Sequence, residues 1–507
     1  MNKLFKKMVC LLVVLSMVLV IAPANISKAS SYTYNYDWWN EVRECPDAYT
    51  TSGAFTAYEM GLDKNLSKPE GLYVYEDLIY ICDTGNNRII ELKRESQDKV
   101  SLLRTFDSIT GSEVSELKGP TDIWRSADGY LYIADKGNGR VVKVDAKTLA
   151  FQMECTKPND ETYDQGWNFA PSKIVVDRAG RVYIVADSVN KGLCKFESDG
   201  TFSGFIGATP VVYNAWDYFW KRFSSREQRA ASENFVPTVY DNVCMDKEGF
   251  MYVATYHIEE GALDSGSEDP IRKLNLLGND ILVRNGNQEI IGDLYWGDGG
   301  GSKGSSKFTD VTVLDNDVYF GLDKERGRIF AYDDQGNLLY VFGGKENLNG
   351  CFRKPVAIDH QGRDLIVLDG LDCSITILTP THFGNCIYDA IEYFDSGLYD
   401  ESAEAWREVM DVNGNFDLAY IGLGRALMRQ ERYKEAMEYF ELKWNDYNYS
   451  LAYEQYRKIW IRENIGWVIA VLVIVFGVPS IYNSIKRKKL LVESSGVLNE
   501  LEEHNTK

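Results

Sequence analysis

Between residues 69 and 380 apolar and polar positions alternate in short runs, and each run stops at a turn rich in Gly, Asn or Asp. A period of two predicts β-strands whose two faces differ. The runs also repeat as units. KPEGLYVYEDLIYICDTGNNRIIEL begins at Lys68, GPTDIWRSADGYLYIADKGNGRVVKV at Gly119 and APSKIVVDRAGRVYIVADSVNKGLCKF at Ala170. Each unit has a Pro, an alternating run, a turn, a second run ending near Asp, a further turn and a third run. Asp83, Asp135 and Asp187 fall 52 residues apart, and Pro69, Pro120 and Pro171 fall 51 apart. Weaker copies carry Thr255, Asp323 and Asp369 at the same place. Six such units predict a mainly β fold, a six-bladed β-propeller in which each blade buries its faces against its neighbours. The sixth unit has only three strand-like runs before Pro380. The alternating segment Ala48–Gly61 is therefore expected to supply its outer strand and close the ring.

The spacing stretches to 68 residues from Asp187 to Thr255 and again from Thr255 to Asp323. In the first insertion Trp216, Phe219, Trp220 and Phe223 follow helical spacing within Val211–Phe235, which predicts a helix across one propeller face. The second contains the Gly-rich stretch Gly297–Phe308. It has Ser302 where a phosphate loop needs Gly before its Lys, so it is read as a surface loop. The aromatic segment Ser31–Glu41 is expected to anchor an edge against the propeller.

The period changes to a helical one over residues 387–446. YFDSGLYDESAEAWREVM and LMRQERYKEAMEYFEL align at an offset of 34 residues, pairing Tyr399 with Tyr433, Ser402 with Ala436 and Trp406 with Phe440. Gly422 and Ala426 allow close helix contact, and Phe440 is expected to fill the gap between helices. A further helix, Tyr449–Trp460, is expected to cap this module and lead into the membrane span.

Two apolar segments set the expected topology. Lys3, Lys6 and Lys7 precede the uncharged run Met8–Ala22, with small residues at Ala22/Ala24 and Ser27/Ala29, the pattern of a secretory signal. Asn464–Ile485 carries no charge over 22 residues, long enough for a membrane span. Lys486-Arg487-Lys488-Lys489 follow it and favour a cytoplasmic C-terminus. The expected organisation is a signal peptide (1–29), an aromatic segment (30–45), the propeller (46–383), helical repeats (384–462), a transmembrane helix (463–485) and a cytoplasmic tail (486–507). The expected location is the cell membrane, single-pass, with propeller and repeats extracellular.

Charge sharpens this picture. The chain carries −20 in all. Residues 1–29 hold four Lys and no acid, and residues 484–507 hold one net positive charge, which leaves −25 on residues 30–483. Such a body excludes a broad nucleic-acid surface. Four His and no CxxC spacing argue against a multi-histidine or thiolate metal centre, so no metal ligand and no catalytic residue is assigned. Export permits disulfides among the eight Cys beyond the signal, but spacing assigns no pairs.

The units resemble NHL repeats, most specifically in DTGNNRII (Asp83–Ile90) and DKGNGRVV (Asp135–Val142), where Arg88 and Arg140 match the repeat's usual Arg. The 34-residue helical units resemble tetratricopeptide repeats. Units three, four and six lack the GNxR turn, so residue-by-residue transfer stops there. Asp83 and Asp135 are expected to accept backbone N–H bonds from the turn that follows each. The resemblance to bacterial membrane-anchored proteins of this kind implies a binding or scaffold role toward a protein, peptide or carbohydrate, without a cofactor. Glu70, Thr121, Ser172 and Thr238, each directly after a repeat Pro, are the candidate pore-side binding residues. The competing expectation is a calcium-dependent lactonase-like hydrolase. Such propellers need convergent Glu, Asn and Asp at the pore, and of these only Glu70 can be placed from sequence.

Overall fold

The computed structural model describes residues 32–208, 239–256, 258, 269–293, 306–346 and 348–505, with side chains as far as Ser495. The signal segment, the Val211–Phe235 insertion, Thr238 and nearly all of Gly297–Phe308 lie outside the described residues. The chain divides between Asn385 and Cys386 into two compact units.

The first unit is a six-bladed β-propeller of antiparallel sheets. Blade one runs from the inner strand Gly71–Tyr75 through Leu78–Asp83 and Arg88–Ser96 to the outer strand Lys99–Phe106. Blades two and three repeat this order from inner strands Pro120–Arg125 and Ala170–Val176. Blade four shows three strands among the described residues, starting at Asn242–Met245. Blade five starts at Phe308–Val313 and blade six at Pro355–Gln361. The inner strands touch in order around the axis, and the sixth touches the first.

The alternating pattern is what packs the blades. Ile79 and Ile81 on the second strand of blade one join Ile366, Leu368 and Ile375 of blade six in one apolar layer. Tyr80 and Cys82, the intervening residues, face the other way and join Ile123, Leu131 and Ile133 of blade two. All of these are essentially fully buried. Each such aliphatic side chain stabilises by about 1.5–3 kcal/mol, so an isolated blade would leave two apolar faces in water.

The ring closes as the strand count required. Tyr49–Phe55 pairs antiparallel with Ser374–Pro380 as the fourth strand of blade six. The first and last parts of the propeller sequence are thus hydrogen-bonded in one sheet. Upstream, Tyr34–Tyr36 adds a fifth strand to blade five against Leu338–Gly343, and Val42–Glu44 adds a sixth. The aromatic segment is fastened by buried chemistry. The Tyr34 hydroxyl donates to Asp293 at 2.7 Å and accepts from Arg328 at 2.8 Å, and Tyr36 donates to the same carboxylate at 2.6 Å.

The second unit is helical. Tyr399–Val412, Asp417–Arg429 and Tyr433–Leu442 pack in succession. Glycines let them approach: a Cβ on Gly422 would lie 2.3 Å from the Trp406 indole, and one on Gly424 would lie 2.5 Å from the Phe440 ring. The helix expected at Tyr449–Trp460 lies within one longer helix, Asp446–Leu472, which runs on into the apolar segment. No proline interrupts that segment, and Tyr453 and Trp460 on it are about half exposed. A π-helical turn at Val473–Gly477 then leads into Val478–Asn505. Pro479 explains the turn, because its ring and missing N–H disrupt the preceding helical ladder. This long helix contains the chain's apolar span and is long and apolar enough to cross a membrane. Val471, Ile474, Phe476 and Ile481 are exposed on every side of it, a surface that suits hydrocarbon rather than water.

Candidate functional site: a polar cup on the propeller axis

The six inner strands enclose a cavity of about 540 Å³ along the axis. That volume falls within the range of small-molecule sites. Its charged floor depends on an irregularity of the inner strands. In blades two, three, five and six the strand register shifts directly after the residue that starts the repeat, at Thr121, Ser172, Thr309 and Val356. Such a β-bulge re-aims the next side chain. In three of these blades that next residue is charged, Asp122, Lys173 and Asp310, and all three line the cavity together with Asn242 of blade four.

The residues before them do different work. The Thr121 side chain is buried, and its hydroxyl donates to the Pro171 carbonyl of the next blade at 3.0 Å. The Ser172 hydroxyl donates to the Val185 carbonyl at 3.2 Å. Glu70 is exposed, and its backbone N–H reaches the Cys82 carbonyl at 3.2 Å. None of these three lines the cavity. In blades two and three the next residues along, Asp122 and Lys173, do line it. Charged residues in an otherwise apolar inner run, at Asp122, Lys173 and Asp310, were the signal that could have found them.

The carboxylates of the cup also join neighbouring blades. Asp122 accepts the Ile174 N–H at 2.8 Å, Asp310 accepts the Ile358 N–H at 2.8 Å, and Asp359 accepts the Val74 N–H at 2.7 Å. Burial pushes the Asp122 carboxyl up to about 6 and Asp310 up to about 7, against the pull of the Lys173 ammonium. Burial opposes the charge on Lys173, but Asp122 and Asp310 outweigh it and raise its pKa. A desolvated group of several acids and one ammonium holds protons that bulk water would remove.

Among the described basic residues lining the cavity, Lys173 makes no side-chain hydrogen bond. Its side chain is 12% exposed, and its nearest carboxylate oxygen is Asp122 Oδ1 at 3.9 Å. The ammonium has three N–H donors, and Lys173 lines the cavity. Across the cup, Tyr73 and Trp124 stand with ring centroids 4.9 Å apart at 35°, and the Arg125 guanidinium lies 4.8 Å over the Tyr75 ring. The half-buried Trp124 indole N–H makes no hydrogen bond among the described residues and lines the same cavity.

The cup offers little to covalent catalysis. Burial, followed by Asp310 and Asp359, drives the Cys244 thiol far up, so it is no thiolate nucleophile. Thr312 Oγ1 lies 2.9 Å from His360 Nδ1, and Asp359 Oδ1 lies 3.4 Å from the same ring nitrogen. A hydroxyl–imidazole–carboxylate relay needs both ring nitrogens. A divalent ion also fits poorly. The Lys173 ammonium shares the floor with the carboxylates, and both Asp310 oxygens already accept backbone N–H groups, from Val311 and Ile358.

Elsewhere the repeat Asp residues are structural. Asp83 is fully buried and accepts the Ser67 N–H at 2.7 Å, Asn86 at 2.8 Å and Arg88 at 2.7 Å. Asp135 repeats this with Lys118, Asn138 and Arg140. The expected donor, the following turn, is replaced here by the upstream loop, because the Asn and Arg of the GNxR turn take the other oxygen. In blades five and six, Asp323 and Asp369 do accept from the following turn, through Glu325 and Arg326 and through Leu371 and Asp372.

No protein-family model matches the chain, and no curated protein matches its sequence. Solved propellers are similar in shape. A streptogramin B lyase shares 12% identity over 63% of this chain and 96% of its own, with a TM-score of 0.37. The selenomethionine-substituted virginiamycin B lyase of Staphylococcus aureus shares 11% over 62% and 97%, with a TM-score of 0.35. A protein given a provisional gluconolactonase assignment shares 12% over 66% and 93%, with a TM-score of 0.37. Likeness at this level speaks to no activity of this chain.

Proposed function

We propose that this protein is a membrane-anchored extracellular binding protein that takes a small ligand into the axial cup of an NHL-type propeller. The observation that carries this reading is the cavity of about 540 Å³ whose floor presents an ammonium without a hydrogen-bond partner. A half-buried donor of that kind is available to an acceptor, water or ligand, that enters the cavity. The helical repeats, read as tetratricopeptide-like, join the propeller to a single span whose basic C-terminal flank stays in the cytoplasm.

Two measurements test the reading. External protease on intact cells is expected to digest the propeller and leave a C-terminal epitope tag protected; loss of the tag would reverse the proposed topology. A melting screen of the purified full chain against sugars, amino acids, dipeptides and nucleosides is expected to find a stabilising class; no shift with any class would overturn the binding reading.

A second reading, a lactonase-like hydrolase, draws on Asp310, whose carboxyl near 7 suits proton transfer at neutral pH. Its test is lactone turnover with and without chelator. Chelator-sensitive turnover, with calcium bound in stoichiometric amount, would displace the binding-only reading.

A further inference from the structure

The chemistry of the cup narrows the ligand, given the binding reading on which this step rests. The cavity lining carries six Asp side chains, among them Asp122, Asp310 and Asp359, and four basic ones, among them Lys173 and Arg125. A ligand of either sign meets like as well as opposite charge there, whereas a neutral polar ligand does not depend on that balance. The groups left over are complementary to something else. Lys173, whose ion-pair partner Asp122 is 3.9 Å away, and the Trp124 indole offer donors that make no hydrogen bond among the described residues. The floor carboxylates accept backbone N–H groups yet keep second lone pairs for further donors. Tyr73 and Trp124 are half-buried and give the wall an aromatic, apolar face.

We infer that the cup binds a neutral saccharide, one or two sugar rings in size. Sugar hydroxyls both donate and accept, so a single ring can satisfy Lys173 and a carboxylate together without bringing net charge. The axial C–H face of a pyranose matches an aromatic wall. Asn242, on the same floor, adds a side chain able to donate and accept. Lys173 is the orienting group, because its ammonium alone on the floor has all its hydrogens free for ligand oxygens.

The experiment uses the full chain in lipid nanodiscs, since sugar-headed detergents would compete. Glucose, galactose, N-acetylglucosamine, maltose, cellobiose and chitobiose are titrated calorimetrically, with dialanine, glycine and uridine as probes of other classes. At least one saccharide is expected to bind, with affinity reduced tenfold or more in Lys173→Met and measurably reduced in Trp124→Phe, which keeps a ring and loses the N–H. Circular dichroism checks that both variants fold, and Trp124→Phe carries the test if Lys173→Met does not. Binding of dialanine, glycine or uridine without any saccharide would overturn the sugar inference and leave the binding reading standing. Saccharide binding unchanged in both variants would place the sugar outside the cup and overturn it too. Silence from every probe would remove both.

Discussion

At the residue scale, this propeller separates two uses of one repeated position. Asp83 and Asp135 are sealed, each with an Arg that is itself 4–5% exposed, whereas Asp187 is exposed and meets Lys136 at 2.6 Å on the surface. Removing one member of a sealed ion pair strands the other without water. Arg88→Met is therefore expected to destabilise the propeller by about 3–5 kcal/mol. Asp187→Asn is expected to stay within about 0.5 kcal/mol, because an exposed pair contributes little. Denaturation midpoints of the two variants check the contrast. Gly71 is a third case. A Cβ there would sit 2.4 Å from the Thr121 carbonyl oxygen and 3.0 Å from Cys82 Sγ. Gly71→Ala must push blades one and two apart, for about 1–3 kcal/mol or more. The importance of Asp83 was legible in the repeat. Its upstream partner Ser67 was not, because that contact is made by folding back a loop outside the motif.

At the element scale, the strand Tyr49–Phe55 decides whether six blades make a ring. Without it, blade six exposes the long edge of Ser374–Pro380 and the first and last blades lose their shared sheet. Deleting residues 46–60 is expected to lower the melting temperature on the order of 10 °C or more, reflecting several kcal/mol of lost closure. An unchanged melting temperature would refute this role. The need for this strand was legible, since the sixth unit counted one run short. The six-stranded blade five was not. Tyr34 and Tyr36 reach Asp293 across more than 250 positions, a partnership that no local pattern announces. The helix at Tyr449–Trp460 was legible, and its bounds widen to Asp446–Leu472 because helix propensity runs on where no breaker stops it.

At the scale of the whole molecule, the cup couples stability to pH. Asp122 and Asp310 titrate in the fold near 6 and 7, above the unfolded value of about 3.9. Between those limits the folded state holds more protons than the unfolded state. Their contribution is thus fully present below about pH 4 and lost as pH rises through 6 to 7. Lys173 holds both pKa values down, so its removal raises them further. Lys173→Met is expected to cost little at pH 5, where the carboxyls are largely protonated, and about 1–3 kcal/mol at pH 8, where they ionise without their counter-ion. Denaturation midpoints of wild type and variant at the two pH values check this. A penalty that shrinks with rising pH would show that Lys173 does not serve these carboxylates.

The sequence alone determined what depends on periodicity: alternating strands in six units, a missing sixth outer strand, a change to helical spacing near residue 387, and one uncharged stretch of membrane length. Those features are local or repeated, and burial of one face at a fixed period enforces them wherever they occur. Only the tertiary structure decided which side chains share the axis. A single-residue bulge near the start of the inner strand precedes Asp122, Lys173 and Asp310, which line the cavity. These three residues, from three blades, meet only because the ring closes and brings their inner strands round one channel.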